Sequence, residues 1–264
     1  MRLGVLKFSK MAGEVMSMRK WVVLAVVAAI TIASFAGIID EIKNRGYIIM
    51  GTEATYPPFE YVDEKSKQVV GFDVEIAEAI ARKLGVKLVV KDIAFDGLIP
   101  ALLTKKIDMI VAAMTITPER AKMVNFSDPY FTAGQVMVVR RKDSFRPTKY
   151  EDLKGCKVGV QQGTTADIDV SKVKGVNIVR YTRFTDAFLD LAIGRIDAVV
   201  LDFAPAQAYV KFNPDLVISS PVLSEEKFGI AVRKGDKELL NLINQVLKEL
   251  KTKTAYDYLL DKWF

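Results

Sequence analysis

From about residue 38 onward the sequence alternates between two hydrophobic rhythms. Short apolar runs bounded by glycine, proline or charge read as buried strands. Longer stretches with apolar positions every three or four residues read as amphipathic helices. Residues 38–45 predict a helix stopped by Gly46, and 47–51 a strand. Asp73 stands where it would cap a helix running to Leu84. Phe72, Ile76, Ala77, Ile80 and Leu84 share one face of that helix, and Gly85 closes it. Strands follow at 86–90 and 107–112, with a helix at 95–103 between them. Thr117 and Pro118 have the cap and first-turn chemistry of another helix. The rhythm resumes with strands at 135–140, 157–160, 176–181, 196–201 and 228–232. Helices are expected after Gly163 and at 185–193, 204–212, 237–250 and 254–263. Alternating elements of this kind imply an α/β fold with mostly parallel sheets.

The pattern contains one internal echo. Phe95-Asp96-Gly97-Leu98 leads to Lys106-Ile107-Asp108-Met109-Ile110-Val111. Phe184-Thr185-Asp186-Ala187 leads to Arg195-Ile196-Asp197-Ala198-Val199-Val200. Two copies 89 residues apart suggest two lobes of related topology. Open α/β sheets bind ligands beyond the carboxyl ends of their strands. Here those positions are Ala113-Met114-Thr115 and Asp202.

The N-terminus breaks the alternation. Arg2, Lys7, Lys10, Arg19 and Lys20 stand against one acid, Glu14, before an uncharged run from Trp21 to Ile39. Basic flank, apolar stretch and the small-x-small end Ser34-Phe35-Ala36 predict a signal peptide over 1–36, cleaved after Ala36 or retained as an anchor. A start at Met18 gives a more compact opening, Met-Arg-Lys-Trp. Five of the 38 basic and one of the 32 acidic residues lie in 1–36, so the formal charge falls from +6 to +2 without them. That removes the electrostatic argument for a nucleic-acid partner.

The chain has no histidine and one cysteine, Cys156. Ser-His-Asp and Cys-His nucleophile systems are therefore excluded, as are imidazole or multi-thiolate metal sites. No phosphate loop or dinucleotide fingerprint is present. No metal or cofactor is expected. Gly159-Val160-Gln161-Gln162-Gly163-Thr164-Thr165 is a strand-to-helix turn whose N–H groups suit a small carboxylate. Arg120 sits on the first turn of its helix, where the helix dipole disfavours a cation. A bidentate carboxylate would justify it, although pairing with Glu119 or Asp128 at the surface would also do so.

Several motifs together resemble a known family. They are Gly51-Thr52-Glu53-Ala54-Thr55-Tyr56-Pro57-Pro58-Phe59, Gly71-Phe72-Asp73-Val74-Glu75-Ile76-Ala77, Met114-Thr115-Ile116-Thr117-Pro118-Glu119-Arg120, Phe126-Ser127-Asp128-Pro129-Tyr130 and the ending Lys262-Trp263-Phe264. Their order over 40–264 resembles the polar amino-acid-binding proteins of ABC importers, family 3 of the extracytoplasmic solute-binding proteins. The resemblance implies a two-lobed periplasmic-binding-protein-like fold of type II, with two mixed, mostly parallel sheets joined by a two-strand hinge. Lobe one would comprise 37–131 plus 221–264 and lobe two 136–220, with hinges near 132–135 and 220–222. It implies a monomer in the periplasm or on the outer face of the cytoplasmic membrane, with permease and ATPase subunits as partners.

The resemblance also implies roles for individual residues. Arg120 would grip the ligand α-carboxylate, aided by the Thr165 backbone N–H. Asp202, Thr115 and the Ala113 carbonyl would hold the α-ammonium. Tyr56 and Phe95 would sandwich the side-chain stem. Glu53 would meet its tip, with Gln161 and Leu201 lining that end. Core aromatics and a helix cap at Asp202 are the plainer alternatives. With Glu53 at the tip and no cation but Arg120 among these positions, a basic amino acid (arginine or lysine) is expected over glutamine, with cystine also open. Without a donor for Glu53, hydrophobic amino acids would bind poorly. The competing function is an exported cyclohexadienyl dehydratase-like enzyme on the same scaffold, with Glu53 as its acid.

Overall fold

The structure, a computed structural model, describes residues 37–252 and 254–264. The expected signal, its cleavage point and the Met18 start lie outside the described residues. Among the described residues no helix is long and apolar enough to cross a membrane.

Helix Ile38–Arg45 leads into β1 (Tyr47–Thr52), then a small antiparallel sheet of β2 (Thr55–Tyr56), β3 (Glu60–Val62) and β4 (Val69–Val70). Helix Phe72–Leu84 precedes β5 (Lys87–Asp92), and helix Leu98–Leu103 precedes β6 (Met109–Ile110). Helix Pro118–Met123 is followed by β7 (Asn125–Phe126), β8 (Phe131–Ala133) and β9 (Gln135–Arg140). Next come β10 (Lys157–Gln161), helix Thr165–Ser171, β11 (Asn177–Tyr181), helix Phe184–Ala192, β12 (Ala198–Asp202), helix Phe203–Phe212 and β13 (Leu216–Ile218). β14 (Glu226–Phe228), β15 (Ala231–Val232) and helices Lys237–Thr252 and Ala255–Trp263 complete the chain.

Two five-stranded sheets form two lobes, ordered β5-β1-β6-β15-β7 and β11-β10-β12-β9-β13. In each, a central strand (β1 or β10) is parallel to the strands on both sides, and the fourth strand runs antiparallel. This is an α/β, periplasmic-binding-protein-like arrangement. The chain passes between the sheets beside the antiparallel pair β8·β14. At Gly134 a Cβ would lie 2.3 Å from the Ser224 carbonyl oxygen, so the two crossing segments touch there. The expected strand 228–232 is two strands, because Phe228 pairs with Phe131 whereas Ala231 pairs with Ile110.

The sequence echo has a structural counterpart. Gly51 and Gly159 sit in the two central strands, where a Cβ would meet the Cδ1 of Ile107 and Ile196 at 2.3 and 2.6 Å. Each isoleucine therefore packs over a bare backbone. The following aspartates accept the N–H of a neighbouring strand, Asp108 from Ile49 at 2.7 Å and Asp197 from Lys157 at 2.8 Å. An arginine then clamps each turn. Arg233 donates to the Leu102 and Ile107 carbonyls, and Arg140 to those of Leu191 and Ile196.

Asp73 does not cap its helix. Gly71 holds that position at φ +141°, where a Cβ would fall 2.1 Å from the Phe59 carbonyl oxygen. Asp73 lies inside the first turn and faces the core, accepting the Ala113 N–H at 2.8 Å and the Tyr130 hydroxyl at 2.7 Å. Gly85 closes the helix in the left-handed conformation, as its sequence position implies.

Candidate functional site

The carboxyl ends of β1, β6, β10 and β12 face one another across a narrow cavity between the lobes. All nine residues singled out from sequence line it. Glu53, Tyr56, Phe95, Ala113, Thr115 and Arg120 come from one lobe, and Gln161, Thr165 and Asp202 from the other. Leu201 lines it as well.

Arg120 owes its position to a local cap. The Thr117 hydroxyl accepts the Arg120 backbone N–H at 3.2 Å, and Pro118 occupies the first turn. The side chain is buried rather than paired at the surface with Glu119 or Asp128. Its guanidinium donates to the Thr115 carbonyl at 2.7 Å and, across the cleft, to the Gly163 carbonyl at 3.0 Å. It lies 5.2 Å from the centre of the Phe95 ring. Burial draws its pKa down to about 10, opposed by the charges of Glu226 and Asp202, so it remains a cation at neutral pH. Among the described residues it forms no ion pair with a carboxylate.

Asp202 ends β12 and precedes helix Phe203–Phe212, yet its side chain makes no cap hydrogen bond. One carboxylate oxygen accepts the Tyr56 hydroxyl at 2.6 Å. The other, Oδ1, is buried without a hydrogen-bond partner. Burial pushes the pKa up to about 7, with Tyr56 and Arg120 working against that rise and Glu226 adding to it. A buried, half-satisfied carboxyl is costly unless a donor reaches it.

The remaining contacts shape the cavity. Ala113 is held at φ +43° with its N–H on Asp73, which fixes the turn that ends β6 early. Thr165 follows the cap Thr164 and accepts from Gln135 Nε2 at 3.0 Å. Its N–H is in the first helical turn, where no intrahelical acceptor exists. Tyr56 packs against Phe184, ring centres 5.3 Å apart, while Phe95 lies by Arg120.

Glu53 is nearly fully buried and well supplied with donors. Thr55 Oγ1 donates at 2.8 Å, Gln161 Nε2 at 2.9 Å and Arg183 at 2.8 Å. Burial raises its pKa, and these three partners oppose the rise. The condition attached to poor binding of hydrophobic amino acids, a Glu53 without a donor, is not met: the protein itself supplies donors. Arg183, which also pairs with Asp92, is a second cation at this end that the sequence did not reveal. Glu60, Gln135, Thr164 and Phe184 are further lining residues that sequence reasoning missed. Two of them had a visible signal: Phe184 opens the second copy of the echo, as Phe95 opens the first, and Thr164 lies in the strand-to-helix turn that ends at Thr165.

Arg120 and Asp202 thus bring groups of opposite charge to one cavity from facing lobes. Residues 48–264 match the model of the bacterial extracellular solute-binding proteins, family 3. The chain belongs to that family. This solute-binding protein is 38% identical over 256 residues to the arginine-binding extracellular protein ArtP of Bacillus subtilis (strain 168), covering 94% of this chain and 98% of that one. It is 35% identical over 245 residues to the L-cystine-binding protein TcyJ of Escherichia coli (strain K12), covering 91% and 92%. It superposes on holo ArgBP from T. maritima with TM-score 0.80 and 63% identity, covering 85% of this chain and 99% of that chain. These relatives are binding proteins rather than enzymes, and so is this solute-binding protein.

Proposed function

We propose that this protein captures a basic amino acid, arginine or lysine in preference to glutamine, and delivers it to an ABC permease and its ATPase. The observation that carries the reading is the pair Arg120 and Asp202. They come from opposite lobes, line one cavity, and do not pair with each other. Arg120 takes the ligand α-carboxylate in its planar fork, with the Thr165 N–H beside it. Asp202 takes the α-ammonium, with Thr115 and the Ala113 carbonyl as the other acceptors. Tyr56 and Phe95 flank the stem, and Glu53 with Gln161 meets the tip. The arginine-binding names of two relatives support a guanidinium at that tip. A ligand touched from both lobes favours closure, so lobes 37–131 plus 221–264 and 136–220 rotate about the crossings near 132–135 and 220–222. The protein works as a monomer in the periplasm or on the outer face of the cytoplasmic membrane.

Calorimetry with the twenty amino acids tests this reading. A Kd of roughly micromolar or tighter, about −8 kcal/mol, is expected for arginine or lysine. Binding of none of the twenty would refute it, and turnover of prephenate would favour the dehydratase alternative. Glu53→Gln should weaken arginine and lysine strongly and glutamine only mildly. Equal losses for all three would take Glu53 away from the tip.

Affinity should also depend on pH with a defined sign. Asp202 has a pKa near 7, and only its ionised form holds an ammonium. Binding should therefore weaken as pH falls below about 7, by up to about tenfold per unit, and level off above it. Asp202→Asn should flatten the profile in titrations from pH 5 to 8.

A further inference from the structure

The Glu53 end of the cavity carries an ionic bridge between the lobes that the roles above leave unused. Arg183 stands at the amino end of helix Phe184–Ala192 in lobe two. It reaches into lobe one, where one guanidinium nitrogen lies 2.8 Å from Glu53 Oε1 and 3.0 Å from Asp92 Oδ1. The other nitrogen lies 2.9 Å from Asp92 Oδ2. Asp92 is itself anchored, accepting the Ala54 N–H at 3.1 Å. Glu53 is sealed from solvent, while Arg183 and Asp92 are each about one-third exposed at 32% and 33%.

We propose that Arg183 and Asp92 are specificity-determining residues that set the charge of the side-chain end to one net negative, matched to a monocationic ligand tip. The inference rests on the basic-ligand reading and deepens it. Glu53 and Asp92 supply two negative charges and Arg183 one positive. Without Arg183 the end would hold two acids and repel itself. Without Asp92 it would be neutral, and a guanidinium entering it would meet an acid already neutralised by the protein. The opposite end needs no such offset, because Arg120 and Asp202 match the two charges of the amino-acid head. The bridge also ties the lobes together, so a purely mechanical role has to be separated from the electrostatic one.

A charge-restoring pair of substitutions separates them, with arginine affinity measured by calorimetry and folding checked by thermal melting. Asp92→Asn keeps an acceptor for the Ala54 N–H and should weaken arginine about tenfold. Adding Arg183→Met to it breaks the bridge completely but returns the end to one net negative through Glu53 alone. The double variant should regain most of the lost affinity, at least about fivefold over Asp92→Asn. Arg183→Met alone should bind arginine no more weakly than the unmodified protein. A double variant as weak as Asp92→Asn, or a tenfold loss in Arg183→Met, would show that the bridge acts mechanically and overturn the assignment. Failure of the unmodified protein to bind arginine or lysine would instead overturn the underlying reading, and this assignment with it.

Discussion

Asp202→Ala and Arg120→Ala should each cost about 2–5 kcal/mol of binding free energy for arginine, a thirtyfold loss or more. The size follows from burial. Each side chain faces the cavity with most of its surface removed from water, and each is a counter-charge for one end of the ligand head. Removing either leaves a ligand charge desolvated and unpaired. The two variants should differ in the protein alone. Asp202 Oδ1 is buried without a partner, and burial holds its proton to about pH 7. Its loss orphans only the Tyr56 hydroxyl donor, and relief of the buried carboxyl offsets that, so the thermal stability of the free protein should change little. Arg120 bonds the Thr115 and Gly163 carbonyls, so its loss orphans two acceptors and should lower the melting temperature as well. Calorimetry and thermal melting on the same samples check both halves. Either variant binding arginine within threefold of the unmodified protein would remove that residue from the head site.

Element order was legible because periodicity is a local property. The helix at 72–84, the strand at 135–140 and the Thr117 cap needed nothing beyond their own sequence. Expectations failed where a distant partner decided the outcome. Residues 107–112 are apolar apart from Asp108, yet only Met109 and Ile110 lie in a strand. The chain then turns at Ala113, whose N–H is taken by Asp73 forty residues earlier. The same tertiary bond draws Asp73 away from the cap that its position suggested. The site residues were legible only through the resemblance, since nothing local sets Asp202 or Glu53 apart from other acids. Arg183 escaped altogether. It reaches Glu53 from 130 residues away, and a cation at the amino end of a helix has no local rationale. Its partner Asp92 supplies one only after folding.

The second large effect concerns the arginines that clamp the two Ile-Asp turns. Arg233→Ala should destabilise the protein by about 3–5 kcal/mol and Arg140→Ala by about 2 kcal/mol, read as the loss in chemical unfolding. Both arginines are nearly buried, and each donates from one nitrogen to two carbonyls of its turn. Each also pairs at 2.7 Å with an aspartate three residues on, Asp236 or Asp143. The surroundings of those acids set the difference. Asp236, beside Arg233, is 15% exposed and stays desolvated when the cation goes, while Asp108, at 4%, is left with Arg45 as its cation. Asp143 and Asp197, beside Arg140, are 29% and 43% exposed, and water can replace the lost partner. Lysine should rescue neither fully, since one ammonium cannot span two carbonyls and an acid in the planar geometry of a guanidinium. Equal losses at the two sites, or a larger one at Arg140, would show that the orphaned carbonyls rather than the desolvated acids dominate. The turns these arginines hold end in the strands that carry Ala113 and Asp202 to the cavity. A destabilised clamp should therefore weaken arginine binding even though neither residue lines the site.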